Sequence, residues 1–319
     1  MSLQERVSLI ILAFVIFVVC GLEIVVLLRS IDRRVHGRFA WKILFAKPAL
    51  VLHALVVTGF VCLLYGYFIE PRWIDVSRMT LHTAQLSGPG FRIVQISDLH
   101  CDERPRNEEA AVQIINDLEP DVVVVTGDFL NHSGGLVRLR EMLARIEAPL
   151  GKFAVTGNFE VHRWPQLDAL EGSGFRRLER ETVVVTKGSD TIAFFGMGYT
   201  SSEDAADAVE TLPDDDFDVL LFHTPDLVEE LRGRGVDLYL CGHTHGGQVA
   251  LPLYGALVTF SKFGKKYESG MYLVGDTVLY VNRGLGMEPR PAPQVRFCAR
   301  PEIAVFDILP EAMIAVQGE

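Results

Sequence analysis

Seven polar residues stand out for the chemistry that their types and spacing permit: Asp98, His100, Asp128, Asn158, His223, His243 and His245. Each follows a short apolar run, in the stretches FRIVQISDLH, DVVVVTGDF, KFAVTGNFE, VLLFHTPD and DLYLCGHTHGG. Taken alone, an Asp-x-His, a Gly-Asp or a Gly-Asn is ordinary turn chemistry, because these residues tolerate left-handed backbone. Together they gather two Asp, one Asn and four of the chain's nine His, which neither chance nor core packing explains well. Carboxylates suit hard cations and imidazole suits Zn, Fe, Mn or Ni, so a blend without cysteine suits borderline divalent metals. Two ions ~3.5–4 Å apart, sharing a bridging carboxylate, can clamp the attacking and leaving oxygens of a phosphoryl displacement, and seven ligands are about what they require.

Strands must bring these groups together. Short runs rich in Val, Ile, Leu and Phe read as buried strands of a layered α/β protein. Between the first few, residues 107–118 and 136–146 space their apolar side chains as helices do, which predicts βαβ crossovers and functional groups at strand C-terminal ends. After Gln248 come shorter pieces, TVLYVNRGL and EIAVFDIL, separated by Gly/Pro clusters such as residues 287–293. They predict a second sheet closing the fold. There is no internal repeat or low-complexity tract.

The order SDLH (97–100), GDF (127–129), GNFE (157–160), Phe222-His223 and GHTHGGQ (242–248) resembles the calcineurin-like metallophosphoesterase family over roughly residues 90–250. The tail, with NRGLG (282–286) and ARPEI (299–303), is similar to its bacterial membrane-associated branch of YkuE- and YaeI-type phosphodiesterases. The resemblance implies an α/β fold that is a four-layer αββα sandwich, with two divalent metal ions, Mn, Zn or Fe. It also implies the ligand sets: Asp98, His100 and His245 on one metal, Asn158, His223 and His243 on the other, and Asp128 bridging. A metal-bridging hydroxide would then attack phosphorus.

The family's third motif usually reads GNH followed by an acid, and that His assists the leaving group; here the position is Phe159. Losing a positioned acid, typically worth ~10²–10⁴-fold, predicts slow turnover or a leaving group that needs no proton, such as phosphate. His162, three residues on, is a candidate substitute general acid, while Phe159 and Trp164 could wall a lipid or sugar. His132 reads as a surface-loop residue. Arg283, Arg290 and Arg296 are candidate substrate-binding residues, since an Arg near a metal site can hold a phosphate bidentately. The Asp-Arg that follows the second motif in the family's protein phosphatases is absent, which argues against a phosphoprotein substrate.

At its N-terminus the chain has two apolar runs, about 7–28 and 48–69, each long enough to span a bilayer as a helix. The second ends in Tyr65, Tyr67 and Trp73, like an interfacial aromatic belt. Six Lys/Arg against one acid in the intervening loop predict a cytoplasmic loop, so that the catalytic unit is periplasmic or extracellular at the cell membrane. A cleavable signal peptide is the weaker reading, because the basic n-region is poor. The expected division is 1–71, a membrane hairpin, and 72–319, the catalytic domain.

The whole chain carries −11, while the part after residue 79, with 21 basic and 36 acidic residues, is near −15. That balance, with no basic stripe, argues against a nucleic-acid partner. Five cysteines without a CxxC pair indicate no disulfide framework. The expected function is hydrolysis of a phosphodiester or pyrophosphate bond in a membrane- or envelope-associated phosphoester substrate, with a lipid-linked one as the natural candidate. Two alternatives stay open: a UDP-2,3-diacylglucosamine pyrophosphatase-like enzyme of lipid A synthesis, and a retired enzyme serving as a metal-bound binding module.

Overall fold

The computed structural model describes residues 2–39, 41–200, 216–290 and 292–311. It opens with α1 (Leu3–Val35), a short α2 (Trp41–Leu44) and α3 (Lys47–Phe68). A capping box starts α1: the Ser2 hydroxyl accepts from the Glu5 amide at 3.2 Å, and the Glu5 carboxylate accepts from the Ser2 amide at 2.7 Å. Both long helices suffice in length and apolarity to cross a membrane. Glu23 and His53 interrupt the two apolar runs, and they meet across the helix pair with Nδ1 2.7 Å from Oε1. Each polar group thereby satisfies the other in an apolar setting.

The hairpin is anchored to the globular unit at both ends. Glu5 Oε1 accepts from the Thr259 amide at 2.8 Å and from its hydroxyl at 3.0 Å. At the end of α3 the Gly66 carbonyl accepts from the Arg296 amide at 2.9 Å. A Cβ at Gly66 would lie 2.9 Å from the Arg296 carbonyl oxygen, so the close approach requires glycine. Just beyond, Glu70 Oε1 accepts from the Ala299 amide at 2.6 Å.

The globular unit runs through β1 (Asp75–Thr83), β2 (Phe91–Ile96), α4 (Glu108–Asp117), β3 (Val122–Thr126), α5 (Leu136–Ala144), β4 (Gly151–Val155), α6 (Asn158–His162) and β5 (Arg176–Arg177). It continues through β6 (Glu181–Lys187), β7 (Asp190–Gly196), β8 (Phe217–Leu221), β9 (Leu238–Cys241), β10 (Ala250–Leu251), β11 (Gly255–Ala256), β12 (Gly270–Val274), β13 (Thr277–Val281) and β14 (Glu302–Pro310). Two six-stranded sheets result, ordered β1-β14-β2-β3-β4-β5 and β12-β13-β9-β8-β7-β6. Strands β2, β3 and β4 are parallel neighbours joined through α4 and α5, as the helical spacing predicts.

The sheets pack face to face over one core, in which Ile93, Val122 and Phe153 of the first meet Phe194, Val219 and Leu238 of the second. On the first sheet's outer face, Ile115 of α4 and Leu139 and Leu143 of α5 cover Val94, Val123 and Val125. Leu227, Leu231 and Tyr267 pack against Leu220 and Tyr239 on the outer face of the second. The result is a layered α/β sandwich of two sheets covered on both sides.

The tail differs from expectation in one respect. TVLYV does join the second sheet as β13, but EIAVFDIL inserts between β1 and β2 of the first as β14. Its side chains explain the location: Ile303 and Val305 face the helix-side core, while Ala304, Phe306 and Ile308 face the inter-sheet core. A strand apolar on both faces belongs inside a sheet.

Candidate metal centre

The C-terminal ends of β2, β3, β4, β8 and β9 open onto one place, and all seven candidate ligands collect there. Five of them hold left-handed backbone: Asp98 (φ 47°), His100 (41°), Asp128 (54°), His243 (72°) and His245 (53°). Such conformations cost non-glycine residues roughly 1–3 kcal/mol each, and they persist only where surroundings over-determine them. Here backbone bonds between the loops do so: the Asp98 amide to the Gly127 carbonyl (3.0 Å), His100 to Asp128 (3.0 Å), Gly242 to His223 (2.8 Å) and Gly286 to Asp98 (2.7 Å). Gly157 and Gly242 pack so closely that a Cβ would lie 2.3 Å from Asp128 Oδ1 and 2.1 Å from Asp98 Oδ2 respectively.

Two clusters form, Asp98 with His100 and His245, and Asp128 with His223 and His243. In the first, His245 Nε2 lies 3.1 Å from His100 Nε2 and 3.6 Å from Asp98 Oδ1. In the second, His223 Nε2 lies 3.2 Å from His243 Nδ1, 3.4 Å from Asp128 Oδ2 and 3.0 Å from Asn158 Oδ1. Asp128 stands between them, since its Oδ2 is also 3.7 Å from His100 Nε2. Asp128 Oδ1 accepts from the Phe159 amide at 2.9 Å, whereas Oδ2 is buried without any hydrogen-bond partner.

Outer contacts fix two of the rings. His223 Nδ1 lies 2.7 Å from the Thr126 carbonyl, which can only accept, so Nδ1 carries a hydrogen and Nε2 is the nitrogen that faces inward. His100 Nδ1 lies 2.7 Å from Asn131 Oδ1, and Asn131 Nδ2 donates to the Met287 carbonyl at 3.0 Å. Burial pulls His100 down to about 4, His243 to about 3 and His245 well below its ordinary value. For His223 burial works the same way, but the Asp128 carboxylate outweighs it and holds the imidazole up at about 10. Burial would raise Asp128 too, yet His223 and the Phe159 amide keep it below the usual carboxylate range. Burial pushes Asp98 up to about 6. Three neutral imidazoles thus face two carboxylates across short gaps, with Asp128 Oδ2, which accepts no hydrogen bond, at the centre. That donor set fits divalent cations, because a buried polar atom without a partner is otherwise costly.

Three nearby groups escaped the sequence reading. Glu160 is buried and accepts from three amides, Asp128 (2.9 Å), Phe129 (2.8 Å) and Gly157 (2.9 Å), so it shapes the loop that carries Asp128. Burial and the Asp128 charge lift it to about 7, against the pull of those donors. Asn131 orients His100 as described. Glu288 Oε1 lies 3.8 Å from His245 Nε2, and burial with Asp128 and Asp98 nearby raises this carboxyl to about 7. The acid in GNFE was the visible signal for Glu160; nothing local marked the other two.

Several expected roles need correction. Arg296 is fully buried, and its guanidinium donates to the carbonyls of Gly286, Ala299, Arg283 and Gly284, which leaves no face for substrate. Arg283 donates to Asp75 Oδ2 (2.8 Å) and Glu302 Oε1 (2.9 Å), and is likewise spent on structure. Trp164 turns to the helix-side core and donates to the Leu130 carbonyl at 2.9 Å. Phe159 does wall the site, edge-on to His100 with ring centroids 4.8 Å apart. His162 is exposed and stands one ring away, 5.9 Å from Tyr199, which is 6.2 Å from His223. His132 is exposed beside Glu103 at 3.0 Å, and Arg290 is exposed on a neighbouring cleft. Cys101 and Cys241 are both free, buried thiols.

The calcineurin-like phosphoesterase profile matches residues 91–247, the segment that supplies every one of these ligands. The metallophosphoesterase YkuE of Bacillus subtilis is 35% identical over 262 residues, covering 76% of this chain and 89% of that protein. This chain belongs to the calcineurin-like phosphoesterase family. Phosphodiesterase YaeI of Escherichia coli is 25% identical, over 77% of this chain and 92% of its own. The UDP-2,3-diacylglucosamine pyrophosphatase LpxG of Chlamydia trachomatis is 26% identical, over 83% and 97%. Membership makes the chain a metal-dependent hydrolase of phosphoester bonds, and the structure has two clusters that could hold divalent metals.

Proposed function

We propose that the chain hydrolyses a phosphodiester or pyrophosphate of a membrane-associated substrate. Asp98, His100 and His245 would hold one divalent cation, Asn158, His223 and His243 a second, and Asp128 Oδ2 would face both. The observation that carries this reading is Asp128 Oδ2, buried without a hydrogen bond and flanked by imidazole nitrogens of both clusters, His223 Nε2 at 3.4 Å and His100 Nε2 at 3.7 Å. When bound, the cations would polarise the phosphoryl oxygens and activate the attacking water. One water is consumed; its oxygen joins phosphorus, the P–O bond to the leaving group breaks, and one proton is released.

The chain's own residues set the conditions around that displacement. Thr126 and Asn131 hold the rings of His223 and His100 in register, and Glu160 keeps the Asp128 loop in place. Phe159 presents a hydrocarbon edge where a proton donor would otherwise stand, which suits leaving groups stable as anions. Zn, Mn and Fe all accept this donor set.

The two apolar helices support attachment of the hydrolase to a membrane. We further propose a hairpin of residues 1–71 carrying a catalytic domain of residues 72–319 on the face opposite the arginine-rich loop. Anchoring of Glu5 and Gly66 to the globular unit supports this arrangement. Similarity to the LpxG pyrophosphatase favours a second reading, a diphosphate lipid cleaved on the cytosolic face. Protease accessibility of a C-terminal tag in intact cells separates the two: an accessible tag supports the outer face, a protected one the cytosolic reading.

The activity is tested with the full chain in detergent and Mn²⁺ on bis-p-nitrophenyl phosphate. Turnover lost on chelation and in His243→Ala supports the hydrolase. Full metal occupancy without turnover on diesters, monoesters or pyrophosphates would leave a binding module instead.

A further inference from the structure

A cleft of about 600 Å³ lies between the end of α3 and the metal centre. Its outer lip is formed by Tyr67, Pro71 and Arg72, directly after the apolar helix, where Tyr67, Phe68 and Ile69 are all more than half exposed. Its inner wall includes Asn131 and Met287, and Asn131 is the side chain that orients His100. Arg163, also lining the cleft, sits over the Phe159 ring at 4.7 Å, and that ring abuts His100. The cleft thus runs from the last turn of an apolar helix to within one side chain of a metal ligand.

Its charge contrasts with that of the molecule. The chain has 41 acidic residues against 30 basic ones, yet five arginines line this cleft beside only two acids, Asp102 and Glu103. Both acids are engaged, Asp102 with Arg106 at 3.9 Å and Glu103 with His132 at 3.0 Å. Arg72 turns to the last carbonyls of α3, Phe68 at 3.3 Å and Tyr67 at 3.5 Å. Arg104 and Arg290 have no carboxylate partner among the described residues and are exposed on the cleft wall, while Arg163 is in no close ion pair and feels only the more distant charge of Glu288. Guanidinium groups gathered with too little counter-charge repel one another, and a bound phosphate relieves that repulsion through charge-assisted, bidentate hydrogen bonds. In a surface of net negative charge, such a gathering also focuses the field on one entry route.

We propose that this cleft binds the headgroup of a membrane amphiphile bearing a second phosphate beyond the one at the metal centre. Arg104, Arg163 and Arg290 hold that second phosphate, and the apolar part of the ligand stays alongside α3. The inference rests on the hydrolase reading for what happens at the metals, but not for binding. It also accounts for Phe159: a leaving phosphate held by arginines needs no proton from a neighbouring acid.

Binding of hydrolysis-resistant probes to the full, metal-loaded chain in detergent tests the proposal apart from turnover. The probes are dodecyl methylenediphosphonate, its methyl counterpart and dodecyl phosphonate. The dodecyl diphosphonate should bind at least tenfold more tightly than either of the others. Replacing two guanidinium contacts in Arg104→Gln/Arg290→Gln should weaken it by roughly 10- to 100-fold relative to dodecyl phosphonate, in keeping with charge-assisted hydrogen bonds. Arg104→Lys/Arg290→Lys should recover part of the loss. Both positions are exposed, and neither side chain is in an ion pair, so the variants fold. An unchanged ratio between the dodecyl probes in the Gln variant overturns the arginine site. Equal binding of the methyl and dodecyl diphosphonates overturns the membrane source and leaves a soluble diphosphate as the ligand. Absent hydrolysis of bis-p-nitrophenyl phosphate would instead count against the hydrolase reading alone.

Discussion

Phe159→His tests whether a missing proton donor limits this site. The native ring is 6% exposed, edge-on to His100 at 4.8 Å, with the Arg163 guanidinium 4.7 Å from its centre. A cation at 4.7 Å opposes protonation of the new imidazole by about 0.9 kcal/mol at the dielectric of water and about 3.5 kcal/mol at an effective value of ~20. That equals roughly 0.6 to 2.6 pH units, so an imidazole of ordinary pKa ~6.5 falls to about 4–6. At pH 7 only about 0.1–10% of it would carry the proton, and the ~10²–10⁴ benefit of a positioned acid shrinks accordingly. At the ~10² end of that benefit the single variant should gain about tenfold at most, while Phe159→His/Arg163→Ala, with the imidazole back near its ordinary pKa, should gain a few tens-fold. The assay is kcat/KM for aryl methyl phosphodiesters whose leaving phenols span a wide range of acidity. Gains should concentrate on the poorest leaving groups and flatten the dependence on phenol pKa. Equal changes across the series in the double variant would refute the reasoning.

Two further outcomes follow from the site's geometry. Glu160→Gln turns an amide group toward at least one of three backbone donors, and should cost about 1–3 kcal/mol of stability in urea unfolding; an unchanged midpoint would show that the three bonds do not hold the loop. Metal loading should release protons unequally. In the metal-free protein, His223 is held up at about 10 and must lose a proton to bind a cation, while His100 at about 4 and His245 are already neutral. Affinity at the His223 cluster should therefore rise with pH between 7 and 9 and release about one proton, and the Asp98 cluster should fill almost without release. Calorimetry in two buffers of different ionisation enthalpy reads this, and equal release from both steps would contradict it.

The ligand-bearing strand ends were legible because each joins a buried apolar run to a polar turn in consecutive residues. Local signals sufficed for β2, β3, β4, β8 and β9, and for the crossover helices α4 and α5. The insertion of β14 beside β2 was not legible, since a strand's partner is decided by long-range packing of both its faces. Arg283 and Arg296 looked like phosphate binders for a related reason. Their tail is rich in Gly and Pro and forms little ladder structure of its own, so its carbonyls at 283, 284, 286 and 299 take a buried guanidinium instead. Nothing in the sequence near Arg296 announces those acceptors. Glu160 and Asn131 act through loops that meet only in the fold.

Metal content in Asp128→Asn bears most directly on the two-metal account. The substitution keeps the side chain's shape and its Oδ1 bond to the Phe159 amide, and removes the charge that faces both clusters. After dialysis against trace Mn²⁺ or Zn²⁺, elemental analysis should find two ions per native chain and one or fewer in the variant, with unchanged circular dichroism. Two ions retained in a folded Asp128→Asn, or none bound by the native chain, would contradict the account.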